Sequence, residues 1–399
     1  MSAVVAHGLR RVARIGLPDR AGSDWWMIQH QTDTTRILDE ADIPVVARLF
    51  QKILRKTREP ATPALETYLA SVFLDGPDRD TEINSFVHLR RDGRVNGFVG
   101  VLPLPLIAGD RPVRGALCGT LMVEDHADDP FAGARLMRAF LGGPQDISLT
   151  ETANDISTTM WRKLRATVLP DHSLEWLRVI RPAGFAAEMA GRAVGLGGVL
   201  RPLARPVDAL VRRRGDGPYW THMPAGLPAG TLASAEVDDG EAAALFVELT
   251  RGYEVRPDWR AQSLARMLAE SRRKAVYGAM VRRKVVARNG RPVGLFLYYG
   301  DPGRVGRVVQ VLHAPGQAGI VLDSMLAHAG ETGLVALRGR TMPALLEAML
   351  GRRFIFVHAS SSIVHARDRS LIEPFVAGRA FFNGFAGESW SRLIGDRFD

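Results

Sequence analysis

Residues 116–143, ALCGTLMVEDHADDPFAGARLMRAFLGG, contain the pattern from which the fold can be predicted. The apolar run over residues 117–123 predicts a buried strand, and the apolar periodicity that starts near Ala132 predicts a helix. The first helical turn consists of small residues, so a ligand can approach its unpaired backbone N–H groups. The positive end of the helix dipole favours an anion there, and a phosphate or pyrophosphate would suit this position.

Predicted strands and helices flank this stretch in a regular order. Residues 84–89 and 95–102 have strand patterns, and the turn between them contains Asp92-Gly93, which is typical of a β-hairpin. Downstream, residues 147–152 predict another strand, and Asn154 precedes a helix with one apolar face. Alternating strands and helices of this kind indicate an α/β unit.

In order and spacing, these elements resemble the GNAT family of acyl-CoA-dependent N-acyltransferases. RILDEADIPVVARLF, residues 36–50, is similar to the opening strand and helix of that family, and TANDISTTMWRKL, residues 152–164, to its fifth strand and next helix. The places of the family's acyl-CoA signature fall on Asp128, Phe131 and Gly133, and Gly133 keeps the family's residue type. The resemblance implies an α/β (α+β) fold with a mixed, mostly antiparallel sheet flanked by helices.

The same pattern recurs in the second half of the chain. ARNGRPVGLFLYYG, residues 287–300, echoes RRDGRVNGFVGVLP, residues 90–103. After it, RVVQVLH (307–313) predicts the core strand, APGQAG (314–319) the loop and residues 320–328 the helix. The resemblance therefore implies two tandem GNAT-like domains.

The chain is predicted to have four segments, which are a basic N-terminal tail (1–32), a first GNAT-like domain (33–181), a connector (182–230) and a second GNAT-like domain (231–399). An apolar strand within residues 172–182 is expected to close the first domain. The connector is rich in Gly, Pro and Arg, which is typical of a link between domains. Apolar residues recur within 185–214, so this part is either a linker helix packed on its own domains or a basic helix that lies on an anionic membrane.

Length and composition limit the class of protein. With 399 residues, of which 46% are hydrophobic and 24% charged, the chain can bury two ordinary cores. The net charge of +9 attracts anions such as nucleotides, CoA, acidic lipid or nucleic acid, although an Arg-rich composition can equally reflect a GC-rich genome. The single Cys118 and the absence of a membrane-spanning run or secretory signal pattern favour the cytoplasm, with peripheral contact at the inner membrane face left open.

The resemblance also implies positions for the acyl-CoA. In GNAT proteins the core strand separates from its neighbour, and its free backbone groups hold the pantetheine arm. The implied positions are Leu121, Met122, Val123, Ala132, Gly133 and Ala134 in the first copy, and Val311, Leu312, Gln317, Ala318 and Gly319 in the second. The loop of the second copy has no acid and is electrostatically the better CoA site, whereas the first copy has the better acceptor side, so either half could be catalytic.

A carboxylate or imidazole near the end of the core strand could remove the proton from an amine. Glu124 is the first candidate and His126 the second, with Asn154 just past the next strand, while His313 is comparably placed in the second copy. Structural roles are the alternatives: a solvated acidic loop around Glu124, a helix cap for Asn154 and a hydrogen-bonded strand end for His313.

We therefore predict an N-acyltransferase that moves an acyl group from acetyl-CoA or a longer acyl-CoA to a primary amine, which is an amino sugar, an amino acid or a lipid amine. No metal or specific nucleic-acid partner is expected, because the sequence has no CxxC, HExxH, P-loop or GxSxG motif and its tryptophans are scattered. Two alternatives remain open: a non-catalytic GNAT-shaped binding protein, and an Arg-driven binder of anionic membranes or nucleic acid.

Overall fold

A computed structural model describes residues 35–125, 127–194, 204, 207–208, 232–274, 276–396 and 398. The predicted N-terminal tail and most of the connector, including much of 185–214, lie outside this part of the chain. None of the helices within the described residues is long and apolar enough to cross a bilayer.

The first half contains, in chain order, β1 (Thr35–Ile37), α1 (Ile43–Leu49) with a π-helical continuation (Phe50–Arg55), α2 (Pro63–Phe73), β2 (Phe86–Leu89), β3 (Val95–Ala108), β4 (Arg111–Val123), α3 (Ala132–Leu141), β5 (Ile147–Ala153), α4 (Asp155–Lys163), β6 (Thr167–Val168), α5 (Pro170–Ser173), β7 (Leu174–Val179) and α6 (Pro182–Val194). Strands β3 and β4 are longer than the apolar pattern predicts. They continue to a tight turn at Gly109-Asp110, where Gly109 has a φ of +62° that favours glycine.

The second half repeats this order with β8 (Leu232–Glu236), α7 (Asp239–Thr250), β9 (Val255–Pro257), α8 (Ala261–Arg272), β10 (Met280–Ala287), β11 (Pro292–Tyr299), β12 (Val305–His313), α9 (Ala318–Glu331), β13 (Ala336–Arg340), α10 (Pro343–Leu350), β14 (Ile355–His358), β15 (Ser361–Ala366) and α11 (Glu373–Val376). The predicted hairpin and core strand of the second copy are therefore present as β10 to β12.

Each half builds one sheet, and the two sheets exchange strands. The first sheet has the order β1-β2-β3-β4-β5-β15-β6, and the short β9 pairs with the far end of β3. The second sheet has the order β14-β7-β13-β12-β11-β10-β8. Within both sheets only the β4–β5 and β12–β13 pairs are parallel among the described strands.

The strand exchange corrects one expectation. Residues 172–182 do contain an apolar strand, Leu174–Val179, but it pairs with Ala336–Arg340 of the second sheet and does not close the first. Its place in the first sheet is taken by Ser361–Ala366 from the end of the chain. Because both repeats contain an equivalent apolar strand, the hydrophobic pattern specifies a strand without specifying its partner.

The two faces of the first sheet belong to different cores. On one face, Val99 and Cys118 pack with Phe140 of α3 and Trp161 of α4. On the other face, residues such as Leu117 join α1, α2 and the second sheet in one continuous core. Both faces of the first sheet are therefore covered, so a group placed between β4 and β5 lies in the interior of the protein.

Candidate active site between the parting strands

Two parallel strand pairs separate part-way along their length. Strands β4 and β5 pair from Gly115–Ile147 to Leu117–Leu149 and then diverge, which leaves a gap between residues 118–123 and 150–153 that we call the first slot. Strands β12 and β13 pair from Val305–Ala336 to Arg307–Arg338, and the gap beyond them is the second slot. Each core strand carries one extra residue near its slot, Gly119 in β4 and Val309 in β12.

The same stretch of chain, residues 383–391, lies against both slots, and we call it the central segment. Asn383 joins the two halves because its Nδ2 donates to His172 O (3.0 Å) and Thr341 O (3.2 Å). Its Oδ1 accepts from the hydroxyl of Ser362 in β15 (3.2 Å). The central segment is therefore fixed at its start by residues of both sheets.

Glu388 of the central segment lies in the first slot. The Thr152 hydroxyl donates to Oε1 of Glu388, whereas Oε2 is buried and has no hydrogen-bond partner among the described residues. A Cβ on Gly119 would lie 3.2 Å from this Oε2, so the absence of a side chain at the extra residue makes room for the carboxyl group. Burial, followed by the charge of Glu151, raises the pKa of Glu388 to about 8.

Glu151 holds the backbone of the central segment. Its carboxylate accepts from Gly384 N (3.2 Å), Glu388 N (2.8 Å) and the Ser389 hydroxyl (2.9 Å), and the side chain is fully buried. Gly387 lies so close to this carboxylate that an added Cβ would overlap Oε2. The hydrogen bonds of Glu151 therefore set where Glu388 enters the first slot.

A buried lysine supports the central segment from the second half. Lys274, which follows α8, donates from Nζ to Ser389 O (2.9 Å) and is only 2% exposed. Burial, and then the charge of Arg307, lowers the pKa of Lys274 to about 7. Two side chains with strongly altered pKa values thus meet at the central segment, because Glu388 belongs to it and Lys274 binds its backbone. Such clusters are typical of functional sites.

The second slot is occupied by the central segment and by a side chain of its own strand. Gln310 donates from Nε2 to Met342 Sδ (3.1 Å) and accepts from Phe385 N (3.0 Å). The Gln310 side chain therefore bridges the slot. Gly384 has a φ of +67°, and a Cβ there would lie 2.7 Å from Val309 O and would overlap Gln310. The extra residue of β12 is therefore covered by backbone, in contrast to that of β4.

The predicted catalytic residues of the first half have structural partners. Glu124 is bound by Arg48 (3.0 Å) and Lys52 (2.6 Å), and these cations hold its pKa below the usual range. Asn154 accepts from Ser157 N (2.9 Å) and caps α4. His126 lies outside the described residues. The geometry therefore gives Glu124 and Asn154 an ion-pair and a capping role, and their catalytic roles remain predictions.

Acids surround the predicted phosphate position at the start of α3. Asp129 accepts from Phe131 N (3.3 Å) and pairs with Arg135 (2.9 Å), and Asp128 pairs with Arg90 (3.2 Å).

The helical hydrogen bonds of α3 begin with the bond from Arg135 N to Phe131 O. The predicted residues Ala132, Gly133 and Ala134 therefore form the first turn, where N–H groups lack helical partners. A Cβ on Gly133 would lie 3.4 Å from Met160 Sδ and 3.8 Å from Val123, so this turn faces α4. The end of β4 also contains Leu121 and Met122, which pair with Val99 and Phe98 of β3.

The predicted residues of the second half have a different environment. Val311 and Leu312 are buried and pair with β11, and His313 contacts Ala314 O through Nδ1 (3.0 Å) while its buried Nε2 has no partner in the described part of the chain. Gln317 and Ala318 begin α9. Gly319 lies beneath the guanidinium of Arg352, which Asp323 holds through a bidentate ion pair.

A cavity of about 110 Å³ adjoins the first slot on the face that carries α2. Its apolar wall includes Phe73, Leu102, Leu104, Leu117, Met267 and Trp390. Leu102 also lies 3.8 Å from the position of a Cβ on Gly119, and Glu388 Oε2 lies 3.2 Å from the same position. Leu102, which lines the cavity, and the carboxyl group of Glu388 are therefore both close to the extra residue of β4.

Sequence patterns did not indicate Glu388 or Glu151 as site residues. Thr152 and Glu388 are 236 residues apart, and the single acid in residues 380–390 has no motif around it. No group of three or more His, Cys, Asp or Glu side chains within the described ranges could hold a metal ion.

No protein-family model and no curated protein matches this sequence. Solved structures do match its fold. A conserved protein of unknown function from Enterococcus faecalis V583, termed a probable N-acyltransferase, aligns with a TM-score of 0.55 and 9% identity over 84% of this chain and 73% of its own. A GCN5-related N-acetyltransferase from Anabaena variabilis aligns over the same shares with a TM-score of 0.53 and 12% identity.

At these identities the similarity is one of fold. The chain has the GCN5-related N-acetyltransferase (GNAT) fold, built as two mixed, mostly antiparallel sheets flanked by helices. The predicted fold class is therefore confirmed.

Proposed function

We propose that the protein is an N-acyltransferase that moves an acyl group from acyl-CoA to a primary amine, and that the first slot is the site of transfer. The difference between the two slots is the observation that supports this proposal. In the first slot, the extra residue of β4 faces a carboxyl oxygen of Glu388 that has no partner among the described residues, and Leu117 of the same strand lines a cavity. In the second slot, Gly384 and Gln310 fill the corresponding space.

The chemistry needs three things from the chain. The amine must be present as the free base, the thioester carbonyl must be held for attack, and the oxyanion of the tetrahedral intermediate must meet N–H donors. Beyond the last β4–β5 pair, residues 118–123 have backbone groups that no longer pair with β5 and can hold a thioester. The cavity beside Leu117 lies on the face opposite α3 and α4, which gives an amine a separate route to the carbonyl.

The structure fits the phosphate end of CoA less well than the thioester end. Arg90 and Arg135 supply positive charge at the start of α3, but Asp128 and Asp129 already pair with them. An incoming pyrophosphate would have to share these guanidinium groups with the carboxylates, so we expect modest affinity for CoA. The acceptor could be an amino sugar, an amino acid or a lipid amine.

Isothermal titration of acetyl-CoA and of a long-chain acyl-CoA tests this proposal. We expect Gly133→Glu to weaken binding about tenfold or more, equivalent to about 1.4 kcal/mol, because it adds a negative charge to the first turn of α3. Gly319→Glu is the matched control at the start of α9, and we expect unchanged binding. Loss of binding in Gly319→Glu alone would move the donor site to the second half.

A non-catalytic GNAT-shaped binding protein is the second candidate. The acids around α3 and the central segment lying in both slots favour it, because each would reduce acyl-CoA binding. Failure of the wild-type protein to bind any acyl-CoA would support this candidate and contradict the enzyme proposal.

A further inference from the structure

We propose that Glu388 is the general base of the acyl transfer and that the second half of the chain supplies it to the first slot. This inference rests on the proposed function. Its starting point is the position of Oε2, which lies beside the extra residue of β4, where the strands part. An amine that attacks a thioester held along residues 118–123 would lose its proton at this place.

The carboxyl group is preorganised. The hydroxyl of Thr152 fixes Oε1, and the backbone N–H of Glu388 is bound to Glu151 at 2.8 Å. Only Oε2 is left without a partner among the described residues. An oriented carboxyl group with one unused oxygen in a buried site can accept a proton without first breaking another hydrogen bond.

The charged and titratable groups around Glu388 come from four elements. Glu151 of β5 and Cys118 of β4 are on the first sheet, Arg340 is on β13, and Lys274 follows α8. Burial and Glu151 raise the pKa of Glu388 to about 8, whereas Thr152, Arg340 and Lys274 act in the opposite direction. A pKa near the working pH is what a general base requires.

The other candidate acid of the first half is less suitable. Both oxygens of Glu124 are used by Arg48, and Lys52 adds a second cation, so a proton would have to compete with two positive charges. Its pKa is lowered, which makes the carboxylate a weaker base. Glu388 combines a raised pKa with an oxygen that has no partner in the described part of the chain.

The proposed step is balanced in atoms and charge. The amine nitrogen forms a bond to the thioester carbonyl carbon, and the nitrogen's proton passes to Oε2 of Glu388. The C–S bond of the tetrahedral intermediate then breaks, and the CoA thiolate leaves and takes up the proton. The products are an amide and free CoA thiol, and Glu388 is again a carboxylate.

The test measures the rate at which CoA thiol is released from acetyl-CoA. The amines are glucosamine, a panel of amino acids and micelles of an ethanolamine phospholipid. The amine with the highest rate is then used to measure the rate as a function of pH. We expect Glu388→Gln to lower kcat about 10²- to 10⁴-fold and to remove the pH inflection of the wild type. Glu388→Asp should restore part of the rate. Glu373→Gln, an exposed acid beside Arg379 in α11, is the control and should behave as wild type.

A Glu388→Gln protein with a wild-type rate and pH inflection would overturn the inference and leave the proposed function standing. A wild-type protein that releases no CoA with any of these amines, and binds no acyl-CoA, would overturn both.

Thermal unfolding of the same variant shows whether the fold is intact. Because the folded pKa of Glu388 is raised from 4.5 to about 8, its ionisation costs stability as the pH rises through this range. Glutamine does not ionise, so the Tm of Glu388→Gln relative to wild type should be higher at about pH 9 than at about pH 5. The same Tm difference at both pH values would contradict the raised pKa of Glu388.

Discussion

Gly387→Ala is expected to lower the free energy of unfolding by about 3 kcal/mol or more. The new Cβ would overlap Oε2 of Glu151, and the carboxylate would have to leave the position from which it binds Gly384 N, Glu388 N and the Ser389 hydroxyl. Each buried donor left without its acceptor costs about 1–3 kcal/mol. Urea denaturation followed by circular dichroism measures the difference.

Gly252→Ala is the matched control for this substitution. No atom lies within 4 Å of a Cβ at Gly252, which is in an exposed turn, so we expect a change within about 0.5 kcal/mol. Equal urea midpoints for the two variants would mean that Glu151 moves at little cost and that the central segment is held mainly by other contacts.

Separating the two halves is expected to have the largest effect on folding. If the chain is divided within residues 195–231 and each part is produced alone, we expect neither part to give a stable monomer. The first part would lack Ser361–Ala366, whose Ile363 and Val364 are fully buried between β5 and β6, and the second would lack Leu174–Val179. Open edges of this kind promote aggregation.

Produced together, the two parts should form a soluble complex, since the missing strands are then available. Size-exclusion chromatography and circular dichroism distinguish the outcomes, and the undivided chain is the reference. A folded monomer from residues 1–194 alone would show that Leu174–Val179 can return to its own sheet and that the exchange is dispensable.

Local patterns were sufficient for the central strands and helices of each repeat. Asp92-Gly93 marks the β2–β3 hairpin, the apolar run before Glu124 marks β4, and the echo at residues 287–300 marks β10 and β11. These predictions depend on residues that are close in sequence, where periodicity and turn chemistry act directly. The repeat made β10 to β12 of the second sheet predictable once the first copy was recognised, but not the place of Leu174–Val179 in that sheet.

The candidate site around Glu388 could not be predicted from the sequence because it combines distant parts of the chain. The positions along β4 follow from the fold, but the group that faces Gly119 comes from a segment near the C-terminus with no repeat or motif. Glu124 was an attractive base because it follows the core strand, yet its environment is decided by Arg48 and Lys52 of another element. Charge partners of this kind are set by tertiary packing.

The strand exchange also has a consequence for synthesis on the ribosome. Ser362 of β15 follows Glu151 of β5 by 211 residues, so the first sheet cannot be completed until nearly the whole chain has emerged. At about 5–20 residues per second this interval is about 10–40 s. During that time the edge of β5 is unpaired, and the nascent first half is expected to need chaperone protection that a sheet closed by its own strand would not need.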